Sequence, residues 1–319
     1  MLLIAFIYRG IIMTLQELRF IVTLAKEKHF GKAAAICFVS QPTLSIAVRK
    51  LEEELGVTLF ERDKNDIKIT SLGEQIVQGA KRVLEEAEII KQIAAGDKDQ
   101  LTGEFKLGAI YTVGPYVLPP IITELNKLAP GMPLEISENF TANLREKLRC
   151  GEIDAAIISL PFTEPGIVTK LLYKESFVVL MPTDHPLAKQ DTIAEKNLVD
   201  YSLLMLGEGH CFREQVVSSC PSCFVLPKSR QARNWRTVEG SSLETIRHMV
   251  ASGMGITILP MTAANVGPYK DKMLTVRPLR GALPSRSIVL AWRKSFPRIK
   301  AIDIVLKALS QCSLQGAIR

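Results

Sequence analysis

Ser40-Gln41-Pro42-Thr43-Leu44-Ser45-Ile46-Ala47-Val48-Arg49-Lys50-Leu51-Glu52-Glu53-Glu54-Leu55-Gly56 reads as one short helix with both ends marked. Ser40 supplies an N-cap oxygen, and Pro42 falls in the first turn, where a missing N–H costs little. Gly56 suits the left-handed C-cap. Leu44, Val48, Leu51 and Leu55 recur at spacings of four, three and four and form an inward face. An ordinary amphipathic helix shares that face, so the outward residues decide. Gln41, Pro42, Thr43, Ser45, Ile46, Arg49 and Lys50 suit a DNA major groove: hydroxyls and an amide for base edges and phosphates, cations for the backbone or guanine, Ile46 for a thymine methyl.

Upstream, Thr14-Leu15-Gln16-Glu17 is a capping box before a stripe of Leu18, Ile21, Val22 and Ala25. A second helix follows Gly31 through Lys32-Ala33-Ala34-Ala35-Ile36, and Phe38-Val39-Ser40 is a tight break. Three short helices with this turn predict a helix-turn-helix. Downstream, Leu59-Phe60-Glu61-Arg62 and Ile67-Lys68-Ile69-Thr70 around Asn65-Asp66 predict a β-wing, with Arg62, Lys64 and Lys68 as candidate phosphate contacts. Ser71-Leu72-Gly73-Glu74 is a second capping box. Behind it Ile76, Ala80, Val83, Ala87, Ile90 and Ala94 alternate at spacings of four and three, a heptad seam with charges beside it. So narrow a stripe predicts a partner helix and a homodimer. Residues 96–102 read as a linker. The expected domains are a winged helix-turn-helix over 13–70, a dimerisation helix and linker over 71–100, and an effector domain over 101–319.

At 319 residues, 47% apolar and 23% charged, the chain has the make-up of a globular protein of two or three domains. Disorder, collagen-like repeats and a small stapled scaffold are excluded, since six cysteines are too sparse for the last. No run approaches the roughly 18 apolar residues of a membrane span, so no membrane partner is expected. Residues 1–7 are apolar, but Arg9 follows rather than precedes them, unlike a secretory leader. We expect residues 1–12 to be a start-site artefact or disordered, and the protein to be cytoplasmic. The net charge of +7 does not come from the helix-turn-helix. Residues 224–319 hold 16 Lys and Arg against 4 Asp and Glu, and the remainder, with 24 against 29, is net negative.

These residues resemble the LysR-type transcriptional regulators. The similar runs are Ser40-Gln41-Pro42-Thr43-Leu44-Ser45, Leu51-Glu52 to Leu55-Gly56 and Leu59-Phe60-Glu61-Arg62. Further on they are Gly151-Glu152-Ile153-Asp154-Ala155-Ala156-Ile157, Asp184-His185-Pro186-Leu187-Ala188, and Gly253-Met254-Gly255-Ile256 through Leu259-Pro260. The resemblance implies a winged helix-turn-helix, a linker helix and a two-lobed effector domain built like a periplasmic binding protein. It also implies double-stranded DNA as partner, a homotetramer, and contact with RNA polymerase. Periodicity agrees for the effector part: strands at 105–110, 134–136, 155–159, 177–181 and 287–292 alternate with helices, which predicts α/β with mostly parallel sheet. The lobes are expected at 101–173 with 287–319, and at 174–286, with a ligand cleft between them.

Gly209-His210-Cys211-Phe212-Arg213-Glu214-Gln215, followed by Cys220, is similar to the peroxide-sensing members of that family, as are Thr112-Val113-Gly114-Pro115-Tyr116 and Ser242-Leu243-Glu244-Thr245. A thiolate, not a thiol, attacks a peroxide, and nearby cations and donors stabilise the charge that develops. His210 and Arg213 are candidates by position. The resemblance implies that Thr112 and Thr141 hold hydrogen peroxide, that Arg286 stabilises the reacting group, and that a sulfenic acid on Cys211 condenses with Cys220. Eight residues separate the two cysteines, so the bond calls for refolding of the loop. A thiol–disulfide reductant would reset it. No catalytic role, metal or cofactor is expected.

Several features depart from that pattern. Cys223 creates Cys220-Pro221-Ser222-Cys223 and is a competing thiol. His210 with the three cysteines is a conceivable zinc set of irregular spacing. Glu214 replaces an aspartate, and the basic stretch 224–239 is longer than usual. Cys37, Cys150 and Cys312 read as core residues, and His29, His185 and His248 as structural or surface groups. Two other functions stay open: a regulator that responds to a small metabolite in the cleft, and a thiol–disulfide exchange enzyme using Cys220 and Cys223.

Overall fold

The computed structural model describes residues 13–63, 66–95, 100–221, 239–264, 273–280, 285–314 and 316–318. Residues 1–12, Lys64, Cys223 and the basic stretch 224–238 lie outside the described residues, as do the side chains of Arg62, Lys91 and Ala94. The chain divides into two units, Met1–Gly96 and Asp97–Arg319.

In the first unit, α1 (Leu15–Glu27), α2 (Phe30–Ile36) and α3 (Gln41–Leu55) pack against the start of α4 (Ser71–Ala95), and β1 (Phe60–Asp63) pairs antiparallel with β2 (Asp66–Ile69) as a wing. Thr14 caps α1 reciprocally with Glu17. Ser40 caps α3 through the Thr43 N–H at 3.3 Å, and Gly56 closes it at φ 68°. The side chains of Leu18, Phe20, Ile21, Leu24, Leu44, Val48 and Leu51 are buried together. Each contributes roughly 1.5–3 kcal/mol relative to exposure.

Two expectations for α4 are corrected. Its cap is Thr70 rather than Ser71: the Gly73 N–H donates to Thr70 Oγ1 at 2.9 Å. The wing strand delivers Thr70 directly to the helix start, and Gly73 is required because a Cβ there would sit 2.3 Å from the Leu59 carbonyl oxygen. The seam also splits. Ala80 is buried with Val77 in the chain's own core, while Val83 is 44% and Ile90 67% exposed, with Ile76 and Ala87 between. The first half of the stripe is spent within the chain, and Val83 and Ile90 beyond it are exposed.

The second unit holds β3 (Phe105–Ile110), α5 (Gly114–Leu128), β4 (Leu134–Asn139), α6 (Thr141–Arg149), β5 (Ala155–Ser159) and the long β6 (Ile167–Pro182). Then come β7 (Leu203–Leu206), α7 (Cys211–Ser219), β8 (Glu239–Gly240), α8 (Leu243–Ala251), β9 (Ile256–Pro260) and α9 (Met261–Ala264). β10 (Leu274–Pro278), β11 (Ser285–Arg293), α10 (Ile299–Gln311) and β12 (Ala317–Ile318) complete it. Its main strand order is β4-β3-β5-β11-β6-β9-β7-β8, with β10 and β12 also on β6. Two hydrophobic clusters form, one from residues 105–173 with 288–312, the other from 177–279. The expectation of a mostly parallel sheet is corrected. β3, β4 and β5 run parallel, as do β7, β8 and β9, but β6 and β11 are antiparallel to each other and to their other neighbours. β6 spans both lobes, with Tyr173 in the first cluster and Phe177 to Met181 in the second, while β11 places Ile288 to Ala291 in the first.

Candidate functional site

The outward face of α3 is as the sequence predicts. Gln41, Pro42, Thr43, Ile46, Arg49 and Lys50 are exposed and Ser45 is half-exposed, while Leu44, Val48 and Leu51 are buried. Ile46, an isoleucine 68% exposed on a polar face, fits apolar contact with a base. Lys50 is not free: its ammonium pairs with Glu17 of α1 at 3.1 Å. Burial pushes the Glu17 carboxyl up, but the Thr14 hydrogen bonds and Lys50 outweigh it and hold it below its ordinary value. Glu52 has a role that reading by face missed. Its Oε1 accepts from the N–H groups of Leu59, at 2.7 Å, and Phe60, at 3.1 Å, and so ties the recognition helix to the wing.

The second site lies beyond the C-terminal ends of β3, β4 and β7, the usual place for ligands in α/β sheets. Tyr111 and Thr112 follow β3, Phe140 and Thr141 follow β4, and Gly209, His210 and Cys211 follow β7. Together with Ile110 and Asn139 they line a cavity of about 10 Å³. That is room for roughly one water-sized molecule. The Oγ1 of Thr141 is buried with no hydrogen-bond partner. Phe140 stacks edge-on against His210, with centroids 4.9 Å apart, and against Tyr111 at 5.2 Å, so aromatic rings close one side. Gly209, at φ +90°, lets the backbone approach the Phe140 ring, since a Cβ there would stand 3.2 Å from it.

Cys211 opens α7 and packs against the first lobe's cluster; Cys220 caps the helix and is buried in the second lobe's cluster. Of the other described cysteines, Cys150 and Cys312 are buried and Cys37 is half-buried.

Of the five residues expected around the peroxide, Thr112, Thr141 and His210 line the cavity, and two do not. Arg213 stands two residues beyond Cys211, on the opposite side of the helix. Its guanidinium donates to the Leu206 carbonyl and pairs with Glu239, each at 2.7 Å. Arg286 is one hydrogen bond removed: Nη1 donates to Thr112 Oγ1 at 2.8 Å and Nη2 to the Thr112 carbonyl at 3.0 Å. Burial lowers the pKa of His210 from its ordinary value, despite a backbone hydrogen bond at Ser241 that acts the other way.

Gln215 carries no role among the sequence expectations. It lies one turn after Cys211, on the same helical face. Its Nε2 donates to Ser159 Oγ and the Leu160 carbonyl, both at 2.9 Å, while its buried Oε1 is unpartnered. The i+4 spacing was the signal for it. Among the described residues no group of three or more His, Cys, Asp or Glu could hold a metal ion. A groove of about 380 Å³ between β6 and α10 shares no residue with the Cys211 cavity.

Residues 15–74 match the family model "Bacterial regulatory helix-turn-helix protein, lysR family", and residues 98–312 match "LysR substrate binding domain". The "Hydrogen peroxide-inducible genes activator" of Dickeya chrysanthemi is 35% identical over 285 residues, covering 89% of this chain and 91% of the relative. Full-length OxyR from Pseudomonas aeruginosa, solved as a cysteine-to-aspartate variant, is 51% identical with TM-score 0.80, covering 95% of this chain and 99% of that one. A cysteine-to-serine variant of Corynebacterium glutamicum OxyR, solved with H2O2 bound, is 33% identical with TM-score 0.61, covering 93% and 92%. The fold and the outward face of α3 define a DNA-binding regulator with a two-lobed effector domain. The chain belongs to the LysR family, and within it to the group of the hydrogen peroxide-inducible genes activators. These relatives are regulators and not enzymes, which sets aside the thiol–disulfide exchange enzyme.

Proposed function

We propose that this DNA-binding regulator senses hydrogen peroxide through Cys211. The observation that carries the reading is the unpartnered Thr141 hydroxyl, buried in a cavity of about 10 Å³ that Cys211 also lines. A buried polar group without a partner costs roughly 1–3 kcal/mol, so the site is built for a small polar guest. The cavity is far below the roughly 300 Å³ typical of metabolite pockets, which disfavours the metabolite-responsive alternative at this position.

Thr112 and Thr141 hold the peroxide. The Cys211 thiolate attacks one oxygen, the O–O bond breaks, and its electron pair leaves on the other oxygen as hydroxide, which takes up a proton to become water. Cys211 is left as a sulfenic acid. The Cys220 thiol then attacks that sulfur, a second water leaves, and a Cys211–Cys220 disulfide remains. α7 must come apart for this to happen, and the rearranged helix is the signal. A thiol–disulfide reductant restores the dithiol. Cys223 is a competing thiol for the second step.

Gln41, Pro42, Thr43, Ser45, Ile46, Arg49, Lys50 and Arg62 form the DNA-contacting set. Val83 and Ile90, exposed on the α4 stripe with half-buried Ala87 between them, support assembly through a partner helix into a homodimer and thence a homotetramer. RNA polymerase is the partner at promoters, and the cytoplasm is the place of action.

The test is non-reducing peptide mapping after one equivalent of hydrogen peroxide, with free thiols trapped at short times. We expect a Cys211–Cys220 peptide to form first. A Cys220–Cys223 peptide, or thiols that all stay free, would overturn the reading.

A further inference from the structure

Glu175 and Arg286 face each other across β6 and β11 as paired residues. Their side chains are wholly buried, with Arg286 Nε donating to Glu175 Oε1 at 2.8 Å. The other carboxylate oxygen accepts from the Thr262 N–H at 3.2 Å and from the Thr262 hydroxyl. The guanidinium also lies 5.0 Å over the ring of Phe212, the residue after Cys211. Taking two charges out of water is expensive, and an apolar pair of the same volume is often as stable or more so. Stability alone therefore does not account for this pair.

What the pair fixes is a proton. A threonine hydroxyl has one hydrogen to give. Arg286 Nη1 donates to Thr112 Oγ1, so Thr112 offers its own O–H to something else, and Thr112 lines the Cys211 cavity. A hydroxyl that accepts from a cation is also the stronger donor. Glu175 itself does not line the cavity.

We propose that Glu175 is a positioning residue for the oxidation of Cys211: it holds Arg286 where that side chain turns the Thr112 O–H toward the cavity. This rests on the peroxide reading above. Without the carboxylate, Arg286 becomes an uncompensated buried charge that draws water or swings away, and Thr112 loses its fixed direction.

A double-mutant cycle in the full chain tests it, with Cys211 oxidation by hydrogen peroxide timed in wild type, Glu175→Gln, Thr112→Val and the double variant. We expect Glu175→Gln to react about tenfold more slowly, less than the loss of an oriented donor outright, because Thr112 stays in the cavity and only its direction is lost. We expect no further slowing from it in the Thr112→Val background. The pH–rate curve of Glu175→Gln moves to lower pH, because the Arg286 charge behind Thr112 is no longer compensated. If Glu175→Gln does not fold, Glu175→Asp carries the same cycle. Rates that multiply independently in the two backgrounds, or an unchanged rate and pH curve, would overturn the inference while leaving peroxide sensing intact. A wild-type Cys211 inert to peroxide would overturn the peroxide reading itself.

Discussion

Cys211 is the first residue of α7 and Cys220 is its C-cap. Nine residues at about 1.5 Å rise put their Cα atoms roughly 13 Å apart along the helix, whereas a disulfide tolerates no more than about 7 Å. The two sulfurs cannot bond while α7 stands. Phe212 and Val216 hold it by burial between them, with Phe212 edge-on to Phe177 at 5.0 Å.

Oxidation is therefore expected to strip amide protection from residues 211–220. Hydrogen exchange on reduced and peroxide-treated protein checks this. The Cys220→Ser variant is expected to keep its protection after peroxide, because a sulfenic acid alone does not require the helix to open. Equal protection in oxidised and reduced wild type would contradict the geometry.

Thr141→Val removes the unpartnered hydroxyl. Deleting an unsatisfied buried group leaves stability unchanged or raises it by up to about 1 kcal/mol. Peroxide oxidation of Cys211 is expected to slow at least tenfold, as when one oriented donor is lost. Thermal melting and stopped-flow thiol trapping measure the two effects, which move in opposite directions. A simple packing role would lower both together.

His210 gives a pH dependence of definite sign. Burial lowers its folded pKa below the ordinary 6.5. Just below pH 6.5 the unfolded chain then binds more protons at this site than the folded one. Its contribution to stability is full above pH 6.5 and is lost as pH falls below it. Urea midpoints between pH 5 and 7.5 are expected to slope less steeply in His210→Gln than in wild type. A steeper slope in the variant would show that His210 is held charged.

Arg49 is exposed on α3 with no ion pair among the described residues, unlike Lys50, which is held by Glu17. Arg49→Ala is expected to weaken DNA binding and to reduce the slope of log affinity against log salt by about 0.9, the effect of one phosphate contact. Lys50→Ala is expected to change the slope less, because its charge is already matched by Glu17. Titrations at several salt concentrations separate the two.

What the sequence determined alone is local and periodic. The caps at Thr14, Ser40 and Gly56, the buried face of α3, part of that of α1 and five of the effector domain's strands follow from spacing, because turns and pleats repeat within a few residues. The DNA-reading face came with them, since it is the complement of the buried one. What tertiary structure decided is polar and long-range. Arg286 reaches Thr112 across 174 residues and Glu175 across 111. The register of β6 on β11 sets Glu175 opposite Arg286, and no local pattern encodes it. Arg213 was misassigned for a related reason: adjacency in sequence to Cys211 says nothing of which way a helix aims the side chain, and the third residue of α7 faces Leu206 and Glu239 instead. Ala80 was likewise legible as apolar, but only packing shows that its own domain buries it before any partner can. Apolar burial tolerates many partners and so is written in composition and period. A hydrogen bond needs one donor and one acceptor within about 3 Å, and only the folded backbone brings distant residues that close.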